Sequence, residues 1–168
     1  MSAKDFDFLL GDWTIHHRRL KRRLAGDDTW EEFPGFSTVR KSFGGMGNFD
    51  ESIVEIPSGT YAGTTIRLFN PANSSWAISW IDSRTPAFDV PMVGHFEGGI
   101  GRFYCSDTFE GRPIRVRFLW SRTEGDAPRW EQAFSQDGEE TWETNWVMDF
   151  TRAKAPVPVE AYLLEGTL

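Results

Sequence analysis

Few side chains in this sequence suit acid–base or metal chemistry near neutral pH: three histidines and one cysteine. His16 and His17 are adjacent. On a strand, neighbours point to opposite faces, so the two cannot share one metal ion without a bulge. Together with the distant His95 they fall short of a zinc-site spacing. One histidine could bind haem iron axially, but nothing in the spacing demands it, and no metal or cofactor is expected. The single Cys105 excludes an intrachain disulfide and a thiolate cluster. That usage suits a reducing, cytoplasmic compartment. What remains for chemistry is a set of polar groups lying in register with tryptophans: His17, Asp82, His95, Gln132 and Thr144. If the chain is an enzyme, His95 or Asp82 is the expected acid or base, in an isomerase, lyase or decarboxylase type of reaction.

The sharpest charge run is His16-His17-Arg18-Arg19-Leu20-Lys21-Arg22-Arg23. On a strand its charges divide between two faces, so it reads as a strand paired with the acidic segments that follow, Asp27-Asp28 and Glu31-Glu32. An anion site at the rim of the fold is the alternative. The net charge of -7 argues against nucleic acid as a partner. No run of about 20 apolar residues suggests a membrane span, and no N-terminal run has the makeup of a secretion signal. Gly44-Gly45-Met46-Gly47 and Gly98-Gly99-Ile100-Gly101 fall between strand-like runs and read as turns, not phosphate cradles.

The elements that must position these groups are strands. Apolar–polar alternation recurs over 12–24, 29–43, 47–56, 62–69, 75–82, 90–97, 101–108, 112–121, 128–135 and 141–152. Turn chemistry separates them, as at Pro57-Ser58-Gly59, Asn70-Pro71 and Asp137-Gly138. Helix is expected only before Gly11. Ten strands joined by short turns make an antiparallel meander, and closure into a barrel removes its edges. Residues 1–152 form one domain, and 153–168, with Pro156 and Pro158, form an extended tail.

Parity along the strands predicts the inner face. Trp76, Ile78, Trp80 and Asp82 share a face, as do Ile114, Val116, Phe118 and Trp120. So do Trp130, Gln132 and Phe134, and Trp142, Thr144, Trp146, Met148 and Phe150. The opposite faces carry Arg115, Arg117, Arg129, Glu131, Glu143 and Asn145, which read as a solvent-side ladder. His95 has no settled face, because Val93 and Phe96 compete for the interior.

Phe8-Leu9-Leu10-Gly11-Asp12-Trp13 opens the chain, Leu68-Phe69-Asn70-Pro71 leads to Trp76, and Trp130-Glu131-Gln132-Ala133-Phe134 leads through Trp142-Glu143-Thr144-Asn145-Trp146. Together these resemble an uncharacterised bacterial family, a domain of unknown function grouped with lipocalin-like (calycin) barrels. The resemblance implies an all-β, up-and-down barrel of about ten strands with a short N-terminal helical plug. It also implies that Trp13, set by Gly11, stacks with Arg152 from the last strand. The family brings no activity with it. Separately, Ser135-Gln136-Asp137-Gly138-Glu139-Glu140-Thr141-Trp142 resembles an Asp-box hairpin, read here as a turn and not as a glycosidase motif.

The function expected from these readings is binding of a small apolar or aromatic molecule inside the barrel, near Trp80, Asp82, His95, Trp120, Gln132, Trp146 and His17. An enzyme in the same cavity and a haem barrel are the alternatives. A homodimer is expected, since two-fold dimers are the commonest assemblies.

Overall fold

A computed structural model describes residues 1–85, 87–155 and 159. Ten strands follow in order: β1 (Gly11–Leu20), β2 (Trp30–Ser42), β3 (Gly47–Ile56), β4 (Gly59–Asn70), β5 (Ser75–Asp82), β6 (Met92–Glu97), β7 (Ile100–Phe109), β8 (Arg112–Ser121), β9 (Arg129–Ser135) and β10 (Glu143–Arg152). Each pairs antiparallel with its neighbour in sequence, and β1 pairs with β10, so the sheet closes into a barrel. The protein is all-β, and closure leaves no edge strand among the described residues.

The helical plug is a single 3-10 turn, Asp7–Leu9. A second 3-10 turn, Phe43–Gly45, joins β2 to β3 and corrects the expectation that helix stops before Gly11. The first strand is also shorter than expected. It ends at Leu20, and Lys21–Gly26 turn away from the sheet. Most of 153–168, including Tyr162, lies outside the described residues, so the tail expected there is not addressed; Val159 is described and buried.

The plug closes one end of the barrel. Phe6 and Leu9 are fully buried there with Trp13, Trp76 and Phe103. Phe6 meets Trp76 edge-on with ring centroids 4.9 Å apart, and Phe96 at 4.8 Å. Arg152 lies 3.9 Å over the Trp13 ring and donates to the carbonyls of Leu10 and Phe8. Trp13 Nε1 donates to Leu9 O at 2.6 Å. Indole and guanidinium thus satisfy backbone carbonyls that the short plug leaves over. Gly11 has a φ of 109°, and a Cβ there would lie 2.9 Å from the Arg152 guanidinium. Glycine is required both by its backbone and by its neighbour.

The wall is thinnest between β5 and β6. Their ladder joins only Trp76, Ala77 and Ile78 to Met92, Val93 and Gly94. The rest of β5, through Trp80 to Asp82, is instead followed by a loop that returns to donate Asp89 N–H to Trp80 O at 2.9 Å. The open end of the barrel lies beside this loop.

Candidate functional site

The face parity holds where alternation is strict. Trp76 and Ile78 on β5, Ile114, Val116 and Trp120 on β8, and Trp130 and Phe134 on β9 are buried in the core. It fails on β10. The β9–β10 register shifts between Thr144 and Trp146, so Asn145 is an extra residue. Beyond the bulge Trp146 faces Gln132 across the ladder, and before it Glu143 faces Phe134. The predicted faces of the start of β10 are therefore exchanged. Trp142 lies outside, under the Arg117 guanidinium at 4.5 Å and against Tyr104. Thr144 pairs with the outward Ala133. Asn145, expected at the surface, is fully buried and accepts a hydrogen bond from Gln132 at 2.9 Å. The expected ladder is also partnered differently: Arg115 binds Glu139 and Arg129 binds Asp149.

Below the mouth the barrel encloses a cavity of about 390 Å³. Trp80, Asp82, Trp120, Gln132, Trp146 and His17 all line it. His95 does not. Met92 and Phe96 take the inward positions of β6, Phe96 packing on Phe6 and Phe103, which leaves His95 exposed on the outer wall. Two groups therefore lose the acid–base role expected of them. His95 is outside, and Asp82 is locked in an ion pair. Burial acts to raise the Asp82 pKa, but hydrogen bonds from Arg84 and Trp80 outweigh it and hold the carboxyl at about 2. The Arg84 contact is 2.7 Å and the Trp80 contact 3.0 Å.

His17 is the ionisable group the barrel encloses most completely among those singled out, 2% exposed. Its Nδ1 accepts from Trp146 Nε1 at 3.1 Å, and its ring stacks on Phe33 with centroids 4.9 Å apart. An indole only donates, so Nδ1 holds the lone pair and Nε2 the proton. Nε2 has no partner among the described residues. Burial, then Arg19 and His16, push its pKa down to about 3. The imidazole is neutral, and its free nitrogen is a donor rather than a base. Gly35 makes room for it: a Cβ there would lie 2.4 Å from Nε2.

The cavity has a second polar region that the sequence reading did not single out. Arg67 on β4 donates to Asp50 on β3 at 2.7 Å and to Asn48 at 3.0 Å. Asp50 also accepts from Ser52 and from the Thr65 backbone. All these side chains but Thr65 are buried. The signal was present: Asn48, Asp50 and Ser52 alternate with Phe49, Glu51 and Ile53, but the polar parity is the inward one. At the mouth, Tyr61 is buried beneath Arg84, 3.6 Å over its ring, with its hydroxyl unpartnered. Arg19 stacks over Phe33 and Trp146 and pairs with Glu31 at 2.5 Å. Cys105 also lines the cavity, and burial, then Asp107, push its thiol up to about 11, far from a reactive thiolate.

Among the described residues, no three or more His, Cys, Asp or Glu side chains converge to hold a metal ion. No helix among them is long and apolar enough to cross a membrane.

No protein-family model and no curated protein matches the chain. A solved structure of an S-type phycobiliprotein lyase from Guillardia theta is similar in shape, with a TM-score of 0.56 over 93% of this chain and 95% of that one. At 12% identity the likeness is one of fold. The barrel is lipocalin-like. The resemblance to an uncharacterised bacterial family remains one of motifs.

Proposed function

We propose that this chain is a cytoplasmic binding protein for a small apolar or aromatic molecule held inside the barrel. The observation that carries the reading is the cavity of about 390 Å³, walled by Trp80, Trp120, Trp130 and Trp146 and reached by a few buried polar groups. A solid core would have interdigitated these rings. Cavities of this size with apolar walls and sparse polar contacts are the usual small-molecule sites. That a phycobiliprotein lyase has a barrel of this shape supports use of the interior for a ligand.

The test is a calorimetric titration of the full chain with flat aromatic compounds, together with native mass spectrometry of the purified protein. One-site binding that weakens by about tenfold in Trp80→Ala supports the reading. An interior that takes up none of them refutes it.

A further inference from the structure

A barrel wall ordinarily satisfies its own buried polar groups. Among the described residues, five buried side-chain nitrogen or oxygen atoms lack a partner, and three of their side chains line this one cavity: His17, Tyr61 and Arg67. The unmatched atoms are His17 Nε2, the Tyr61 hydroxyl and Arg67 Nε. All three can donate. His17 carries its proton on Nε2, burial raises the Tyr61 pKa and keeps the phenol protonated, and a guanidinium has no acceptor. The polar atoms that the lining side chains leave unmatched are thus all donors.

The charge at the mouth says which kind. Arg84, Arg19 and Arg23 all act electrostatically on Tyr61. Arg84 is matched by Asp82 and Arg19 by Glu31. Arg23 lines the cavity but makes no ion pair among the described residues. Its guanidinium lies over Phe109 at 5.2 Å and Phe134 at 5.8 Å. Of the carboxylates acting on it, Glu110 and Glu143, the second is already engaged by the Leu24 N–H at 2.8 Å. The turn after β1 thus delivers to an aromatic rim one half-buried guanidinium that makes no ion pair among the described residues. Asp89 and Asp107 also line the cavity: burial, then Asp82 and Asp107, raise the Asp89 pKa, and Arg84 acts against them.

We propose that the cavity selects acids: an aromatic or apolar carboxylate whose body lies among the tryptophans and whose carboxylate meets Arg23 and the Tyr61 hydroxyl at the mouth. This rests on the binding reading above and names the ligand class.

Three probes of one shape test it by isothermal titration calorimetry on the full chain at pH 7: 2-naphthoate, its methyl ester and 2-naphthylmethylammonium. The expected result is that naphthoate binds at least about tenfold more tightly than either of the others, as a charge-assisted hydrogen bond to an unpaired guanidinium implies. Arg23→Gln should remove that advantage while changing ester affinity by less than about twofold, which also reports that the variant folds. Tyr61→Phe should weaken naphthoate more than the ester. Equal affinity for the three probes, or preference for the ammonium, overturns the selection for acids and leaves the binding reading standing. An Arg23→Gln chain that keeps the full preference for naphthoate also overturns it. Failure of all three to bind overturns both.

Discussion

Burial, then the charges of Arg19 and His16, hold the His17 pKa near 3 against an ordinary 6.5. Between those values the unfolded chain binds a proton that the folded one refuses. Stability should therefore fall as pH drops through 6.5, by ~2 kcal/mol from pH 7 to pH 5. That window lies above most carboxylate titrations, so histidines dominate the change in urea midpoint between the two pH values. His17→Gln should flatten the dependence, and identical slopes in both proteins would exclude His17 as its source. The same scale governs the closed end. Arg152 stacks on Trp13 and donates to two plug carbonyls. Arg152→Ala should lose about 0.5–2 kcal/mol of stacking and about 1–3 kcal/mol for carbonyls left without donors. Coincident unfolding midpoints for variant and wild type would show that the pairing is unimportant.

Two strand-level features set the inner surface. The Asn145 bulge lets β10 begin with one register and continue with the other. It buries an amide beside Gln132 and leaves Trp142 outside on Arg117. Across the barrel, β3 and β4 turn a polar parity inward, and Arg67 and Asp50 pair there. Breaking one side of a buried pair costs more than replacing both. Asp50→Ala should destabilise by roughly 3–5 kcal/mol, because it strands Arg67. Asp50→Leu combined with Arg67→Met should cost far less. Denaturant unfolding of the single and double variants checks this, and a double variant as unstable as the single would show that the pair is not acting as a unit.

Seen as a whole, the barrel carries an outer row that its own interior does not use. Leu68, Ala77, Val93 and Tyr104 register with one another across β4, β5, β6 and β7. Leu68 and Val93 are 43% and 49% exposed. A second copy pressing the same row against it, about a two-fold axis, would cover both. Light scattering should then give twice the 19.2 kDa chain mass, and Val93→Lys should return the single-chain value. Wild type scattering as one chain would rule the dimer out.

The sequence by itself determined the strands, their meander order and the closed end. Period-two alternation and turn residues are local properties, and Gly11, Trp13 and Arg152 sit at the two ends of the meander, where closure must bring them together. It also determined the inner faces of β5, β8 and β9, where alternation runs unbroken. Tertiary structure decided the rest. A one-residue bulge flips parity without any local mark, so Asn145 and Trp142 changed sides. The inner face of β3 is polar because Arg67 on β4 supplies a partner, which no reading of β3 alone reveals. His95 was assigned to the outer wall by competition between Phe96 and Val93 for space against Phe6. Arg23, Tyr61 and Arg84 converge at the mouth only because β1 stops at Leu20 and the β5–β6 ladder ends early. Short-range periodicity fixes which elements form, while long-range contacts fix which polar groups are left without a partner inside.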